Sequence, residues 1–281
     1  MRLTDLPRLL PNRRAWLARH RDQSIRPTPA PLFPGCSFLR IAHRGAAGLD
    51  PENTLRGLET ALRYGVEMVE IDVRPCADGS LVVFHDDDLE RMTGRPGKIS
   101  RSSPTELRAL RVGKDERIPT LDEALNLLRG RALVNLDQKG DHLAPRLLAA
   151  IDRAGSRDEV LLSGSARATF RAFRHLAPNV PLVWSLGASW ENLHKHLLAR
   201  YTLAGARGQA GYIILATRAG LAKGATVDWR LAAPAVVQRV HRAGYPLLTW
   251  TVDDLPTLRA LRQAGVDGVT SNRPDVLAQL T

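Results

Sequence analysis

Three carboxylates stand at positions suited to holding a metal ion. Glu70 and Asp72 are two residues apart in the segment MVEIDV, which predicts a β-strand, so both point to one face with Cα atoms about 6 to 7 Å apart. Asp137 ends a neighbouring predicted strand. Ion pairing with Arg44 or Lys139 alone is the alternative for the first two acids. Oxygen ligands without a cluster of Cys or His favour Mg²⁺ or Ca²⁺ over Zn²⁺.

Two histidines could supply proton transfer beside such a metal. His43 ends one predicted strand, and His85 closes the short apolar segment LVVF. One imidazole could accept a proton from an attacking oxygen while the other donates one to a leaving group, although a structural role is the alternative for each. Arg44 and Lys139 are suited to binding phosphate oxygens, the first through its planar fork and the second as a point charge.

These side chains fall at the carboxyl ends of β-rich segments that alternate with helical stretches, as in parallel sheets built from βαβ units. Eight strands are predicted, at 38–43, 68–73, 132–137, 160–164, 181–186, 212–216, 246–251 and 267–271. Helices are predicted to start near Asp50 and stop at Gly65, and to cover 121–129, 144–154, 166–176, 190–199, 233–243 and 255–264. Eight strands without a GxGxxG loop favour an α/β fold of the (β/α)₈ TIM barrel type, whose active sites lie at the carboxyl ends of the strands.

Two segments do not fit this alternation of strands and helices. A loop-rich insertion covers about 86–119, after the second strand region, and such excursions on compact barrels are often functional. Residues 1–36 form a basic leader that precedes the barrel domain of residues 37–281. Its apolar residues predict a short amphipathic helix: Leu6, Leu9, Leu10, Trp16 and Leu17. Packing of this leader on the barrel is favoured over docking on a membrane.

The bulk composition is that of a soluble globular protein, with 44% hydrophobic and 25% charged residues in a chain of 281. No apolar run approaches the roughly 20 residues of a membrane span, and no secretory signal is evident, so a cytoplasmic location is expected, with peripheral contact to an anionic membrane as an alternative. The net charge of +11 suits several anionic partners. No nucleic-acid partner is expected, because no recognised module or aromatic-interleaved basic stripe is present. The oligomeric state is left open.

Seven motifs, in order, resemble those of the glycerophosphodiester phosphodiesterase family and span nearly all of the chain after residue 40. They are AHRG (42–45), PENT (51–54), VEIDV (69–73), VFHDDDLERMTG (83–94), RIPTLDEAL (117–125), WTVD (250–253) and GVDGVTSNRP (265–274). The resemblance implies a TIM barrel with a small insertion after the second histidine. It also implies metal-dependent hydrolysis of small-molecule glycerophosphodiesters to glycerol 3-phosphate and an alcohol.

Carried over to this chain, the resemblance assigns residues to four roles. These are catalysis by His43 and His85, one Mg²⁺ or Ca²⁺ ion on Glu70, Asp72 and Asp137, substrate binding by Arg44, Lys139 and Trp250, and support of the site by Glu52 and Asn53.

The chain departs from the family pattern at several positions. Asp137, in LDQK, is shorter than the Glu found in many members, which bears on metal preference. A usual SSF is replaced by residues 163–165, and Asp253 stands where WTVN has Asn; both positions are expected to contact the alcohol portion. Two other functions are alternatives: a lysophospholipase D, which needs an apolar wall beside the cleft, and a non-catalytic binder of anionic head groups.

Overall fold

Eight parallel strands close into a barrel in the computed structural model, which describes residues 29–186 and 205–280. The strands are β1 (Leu39–Ala42), β2 (Met68–Pro75), β4 (Leu133–Gln138), β5 (Val160–Gly164), β6 (Leu182–Leu186), β7 (Gly224–Asp228), β8 (Leu247–Trp250) and β9 (Gly268–Ser271). Strand β1 pairs with both β2 and β9, which closes the sheet. A further strand, β3 (Leu81–Val83), pairs antiparallel with β2. The predicted (β/α)₈ barrel is confirmed.

Most of the helices cover the outer face of the barrel, and two short ones, Glu90–Thr93 and Pro104–Ala109, belong to the insertion. They are α1 (Leu55–Arg63), α2 (Glu90–Thr93), α3 (Pro104–Ala109), α4 (Leu121–Leu128), α5 (Ala144–Ala154), α6 (Arg167–Leu176), α7 (Gly205–Ala219), α8 (Pro234–Arg242), α9 (Leu255–Ala264) and α10 (Pro274–Leu277), with 3₁₀ turns at Ile99–Arg101 and Trp229–Leu231. Helix α4 shows why they form: Thr120 and Glu123 build a capping box at its start, and four apolar residues at helical spacing are buried. Among the described residues, the helices predicted from 121 onward agree with the structure to within one residue at each end.

One predicted strand is wrong. The apolar run at 212–216 lies inside α7, and the strand that completes the barrel is β7, all five residues of which are buried. A short apolar run fits a buried strand and a buried helix equally well, so its periodicity could not decide between them. The helix predicted over 190–199 and the amphipathic segment of the leader lie outside the described residues.

The side chains inside the barrel are apolar at the amino ends of the strands and polar toward the carboxyl ends. Strand residues that point inward at the amino ends are apolar, and they pack together with Phe33 from the segment before β1: Leu39, Ile41, Met68, Leu161, Val183 and Leu248. Strand residues of the opposite parity, such as Val69 and Ile71, pack outward in the larger core. This apolar layer closes the lower end and leaves the inward positions above it for polar side chains.

The insertion is folded around a small core of its own. Helices α2 and α3 pack with β3 through a separate apolar cluster: Cys76, Val82, Phe84, Leu89, Ile99, Leu107, Val112 and Ile118. The segment after His85 therefore has a defined position beside the carboxyl end of β2. Of the helices in residues 29–186 and 205–280, none has the length and apolarity needed to cross a membrane.

Candidate active site

Strand parity delivers the predicted acids to one place. Glu70 and Asp72 follow Met68 at intervals of two, so they continue its inward face toward the carboxyl end of β2. Strands β2 and β4 are paired in a register that sets Asp72 opposite Asp137. Carboxylate oxygens of Glu70, Asp72 and Asp137 lie within 4.8 Å of one another. The acids that the sequence suggested as metal ligands therefore do form a cluster.

The cluster is buried, and two cations lie against it. Glu70 is 5% exposed and Asp72 1%. Lys139 Nζ lies 2.9 Å from Asp72 Oδ1 and 2.7 Å from Asp137 Oδ2. Arg44 Nε lies 3.2 Å from Asp72 Oδ2, but its N–H is not aligned for a hydrogen bond and has no such partner among the described residues. The ion pairs that were the alternative reading of these acids are thus present together with the cluster.

Electrostatics divides the acids into two kinds. Burial, together with the charges of Asp72 and Asp137, raises the pKa of Glu70 well above its ordinary value. Burial would also raise the pKa of Asp72, but the charges of Lys139 and Arg44 outweigh it and lower that pKa. Burial alone would lower the pKa of Lys139, and Asp137 and Asp72 reverse this effect and raise it. Because the pKa of Glu70 is raised and that of Asp72 is lowered, a proton is favoured on Glu70 over Asp72.

His43 is held in one tautomer by residues from the far end of the chain. Its Nδ1 lies 2.7 Å from Oδ1 of Asn272, whose Nδ2 donates to Asp253 Oδ2 at 2.8 Å. Because the amide nitrogen is committed to Asp253, Asn272 presents its oxygen, and Nδ1 of His43 must be the donor. The other nitrogen, Nε2, lies 3.9 Å from Glu70 Oε2. Burial and the Arg44 charge lower the pKa of His43, so Nε2 carries a free lone pair at neutral pH.

His85 is held by the insertion. Its Nδ1 lies 2.7 Å from Oδ1 of Asp86, and the other oxygen of Asp86 accepts from Arg91 of α2. Arg91 also donates to Glu52 at 2.6 Å, and Glu52 accepts from Arg44 at 2.9 Å. A continuous chain of hydrogen bonds thus connects the second histidine to the arginine beside the acids, and its middle member belongs to the insertion.

Two residues in the segment between β1 and α1 adopt left-handed backbone conformations. Asn53 has φ 56° and is 2% exposed; its Nδ2 donates to Asp72 Oδ2 at 2.8 Å, and its Oδ1 accepts from the Asp72 backbone at 3.2 Å. Arg44 has φ 51°, and its backbone N–H donates to Glu70 Oε2 at 2.8 Å. Gly45 follows with φ 80°, and a Cβ there would lie 2.8 Å from the Gly57 backbone. The turn after β1 therefore requires glycine.

A cavity of about 770 Å³ opens above the acids. Most of the predicted site residues line it: His43, Arg44, Glu70, Asp72, His85, Asp137, Lys139 and Trp250. Glu52 and Asn53 lie behind this lining and contact it through Arg44 and Asp72. Ser163 and Ser165 line the cavity, and their contact with an alcohol portion stays a prediction. Asp253 does not line it, since its carboxylate is used by Ser271 and Asn272.

Three contributions were not found from the sequence. Asn272 orients His43, Arg91 connects Asp86 with Glu52, and one face of α7 lines the cavity. The motif GVDGVTSNRP contains Asn272, and VFHDDDLERMTG contains Arg91, so each lay within a recognised segment. Only the fold shows which polar residue of such a segment reaches a predicted catalytic side chain.

Known proteins resemble this chain over most of its length. The model of the glycerophosphoryl diester phosphodiesterase family matches residues 43–276. A glycerophosphodiester phosphodiesterase of Caldanaerobacter subterraneus is 29% identical over 258 residues, covering 86% of this chain and 97% of the relative. One from Bacillus subtilis is 25% identical over 264 residues, covering 85% of each protein.

Solved structures share the fold. A phosphodiesterase of Oleispira antarctica, in complex with the product sn-glycerol-3-phosphate, is 26% identical with a TM-score of 0.67, covering 84% of this chain and 93% of that one. A glycerophosphodiester phosphodiesterase of Agrobacterium tumefaciens is 24% identical with a TM-score of 0.71, covering 86% and 100%.

Proposed function

Since the chain belongs to the glycerophosphoryl diester phosphodiesterase family and is a phosphoric diester hydrolase, we propose that it hydrolyses glycerophosphodiesters to glycerol 3-phosphate and an alcohol with one divalent metal ion and two histidines. The observation that carries the proposal is the meeting of the acid cluster, both histidines and two cations in one cavity. The product bound in the Oleispira antarctica relative supports the substrate class.

The acids fit a divalent ion. Glu70, Asp72 and Asp137 offer carboxylate oxygens only, which are the ligands that Mg²⁺ and Ca²⁺ prefer. Burial, followed by the charges of Asp72 and Asp137, raises the pKa of Glu70, and a cation bound among these acids would offset both effects. When bound there, such an ion would supply Lewis-acid stabilisation of charge on phosphate oxygens.

The cations are placed to bind the phosphate. Arg44 Nε has no hydrogen-bond partner among the described residues, so a phosphate oxygen could satisfy it. Lys139 lies between Asp72 and Asp137 and brings a second positive charge to the same edge of the cavity. Both would stabilise the charge that develops on phosphate in the transition state.

The histidines have complementary surroundings. His43 presents an unprotonated Nε2 toward the acids, which suits it to accept the proton of the attacking oxygen. His85 hydrogen-bonds to a carboxylate through Nδ1, which leaves Nε2 to donate a proton to the leaving alkoxide. The attacking oxygen is either water or the glycerol 2-hydroxyl, and incorporation of ¹⁸O from labelled water into the first product distinguishes them.

Turnover of glycerophosphocholine tests the proposal. The parent enzyme should release glycerol 3-phosphate and choline with Mg²⁺ or Ca²⁺ present, and should leave an oligonucleotide intact. His43→Ala should lose most of this activity, whereas His175→Ala, an exposed histidine of α6, should keep it. Cleavage of the oligonucleotide alone, or equal activity in the two variants, would contradict the proposal. A cytoplasmic location remains a prediction from the sequence.

A further inference from the structure

Arg74 is a half-buried cation on the strand that carries two of the acids. It follows Glu70 and Asp72 at the same interval of two residues along β2, but it is not among the residues that line the cavity. In the described parts of the chain, no carboxylate lies within ion-pair distance of its guanidinium. Burying a charge without a partner costs free energy, so ion pairing does not explain why an arginine stands at this position.

The guanidinium of Arg74 holds the main chain of the second histidine. Its Nε donates to the backbone carbonyl oxygen of His85 at 2.6 Å. A hydrogen bond from a charged donor is roughly twice as strong as one between neutral groups. Because Arg74 belongs to β2 and His85 to the segment that leads into the insertion, this contact ties the histidine to the strand of the acids.

The backbone on either side of His85 is anchored by other backbone groups, whereas the backbone of His85 is not. The N–H of Phe84 donates to a carbonyl of β2 at 2.9 Å, and the carbonyl of Asp87 accepts from an N–H of the insertion at 2.8 Å. Within residues 29–186 and 205–280, His85 makes no hydrogen bond to another backbone group. Its main chain is therefore held by the side chain of Arg74.

Two anchors fix two different parts of His85. Arg74 fixes its main chain from the barrel, whereas Asp86 and Arg91 fix its ring from the insertion. The ring hydrogen bond sets the direction of Nε2, and the main-chain contact sets the position from which the ring projects. A general acid must lie within hydrogen-bond reach of the oxygen that it protonates, and a displacement of about 1 Å can lower the rate by about 10²-fold.

Resting on the proposed function, in which His85 protonates the leaving alkoxide, we propose that Arg74 is a positioning residue for His85. It acts through the His85 carbonyl and takes no part in phosphate binding or proton transfer. Loss of the contact lets the main chain at His85 move, so the acid no longer meets the leaving oxygen. The step that slows is protonation of the leaving group, and a leaving group that needs no proton should not respond.

A comparison of leaving groups tests this proposal. Single-turnover rates would be measured with glycerophosphocholine, whose leaving alkoxide must be protonated, and with the 4-nitrophenyl ester of glycerol 3-phosphate, whose nitrophenolate leaves without a proton. Arg74→Met should slow choline release by roughly 10- to 100-fold, and should leave nitrophenolate release and substrate affinity close to those of the parent. His85→Ala should show the same selectivity with a larger loss. Release of nitrophenolate also shows that each variant is folded.

Two controls make the result specific to His85. Arg174→Met removes another arginine that donates to a backbone carbonyl, that of Leu221 at 3.2 Å, and this contact lies away from the cavity, so both rates should match those of the parent. In a chain that already carries His85→Ala, Arg74→Met should cause no further loss, because the residue through which Arg74 acts is gone.

The outcomes distinguish this inference from the proposed function. If His85→Ala slows only choline release but Arg74→Met slows both substrates equally, or neither, Arg74 does not position His85 and the proposed function stands. An additive loss in the double variant would refute the inference in the same way. If the parent cleaves neither substrate in the presence of metal, or if His85→Ala does not discriminate between the leaving groups, the proposed function fails and this inference fails with it.

Discussion

Asn53 offers a direct test of how the acid cluster is supported. It makes two hydrogen bonds to Asp72, one to the carboxylate and one from the backbone, and it does so with φ 56°. Asn53→Gly keeps a residue that tolerates this conformation and removes both hydrogen bonds. Asn53→Ala removes the same bonds and adds the cost of a Cβ in the left-handed region.

The magnitudes follow from these contacts. A hydrogen bond to a charged group is worth about 1.5 to 3 kcal/mol and a neutral one about 0.5 to 1.5 kcal/mol, so Asn53→Gly should lower the free energy of unfolding by about 2 to 4 kcal/mol. Asn53→Ala should lower it by about 1 to 2 kcal/mol more, because of the backbone strain. A variant with alanine is usually more stable than one with glycine, because alanine lowers the conformational entropy of the unfolded chain. At position 53 we expect the opposite order, with the glycine variant more stable than the alanine variant.

Urea unfolding followed by tryptophan fluorescence would measure both variants. Asn126, an exposed residue of α4, supplies the control, since Ala should there be more stable than Gly by roughly 1 kcal/mol. If the alanine variant at position 53 proves more stable than the glycine variant, the left-handed backbone assigned to Asn53 is wrong. If neither variant is destabilised, the two hydrogen bonds do not support Asp72.

Three further predictions concern catalysis. His85→Ala should lower kcat by roughly 10² to 10⁴, the usual contribution of a positioned acid or base, and near-normal turnover in steady-state assays would exclude His85 from proton transfer. Asp137→Asn should lose most metal affinity in calorimetric titration, whereas Asp137→Glu should bind metal with an altered preference among Mg²⁺, Ca²⁺ and Mn²⁺. Asp152→Asn, which changes an exposed acid of α5, is the control. Parent-like metal affinity in Asp137→Asn would show that Asp137 is not a ligand. On the acidic limb of the pH-rate profile, kcat/KM should rise with pH as His43 loses its proton. The midpoint of this rise should lie below the ordinary imidazole pKa of about 6.5, because burial and the Arg44 charge lower the pKa of His43. A midpoint above that value would argue against His43 as the base.

Much of the site could be predicted because successive side chains of a β-strand point alternately to its two faces. Glu70 and Asp72 share a face by their spacing alone, and the carboxyl ends of barrel strands meet at one rim. The position of Asp137 then followed from recognising its strand. These inferences needed only local pattern and the general rule for barrels.

The parts that could not be predicted depend on contacts between distant segments. His43 and Asn272 are 229 residues apart in sequence, and Arg91 and Glu52 are 39 apart. The apolar run at 212–216 was assigned to a strand because hydrophobicity without alternation does not distinguish a strand from a helix. That error concealed the wall of the cavity, since only a helix brings Tyr212 and Leu215 onto one face.

With His43 as the proposed base, its orientation would tie catalysis to closure of the barrel. The backbone N–H of His43 donates to Ser271 at 2.8 Å, and its Nδ1 donates to Asn272, so both contacts come from β9 and the turn after it. The acids, by contrast, lie on β2 and β4, which pair directly with each other. A barrel whose first and last strands had not met could therefore still assemble the acid cluster, but its base would lack a fixed tautomer. On the proposed mechanism hydrolysis requires the closed barrel, whereas the acid cluster requires β2 and β4 together with the residues after β1 that support it, Arg44 and Asn53.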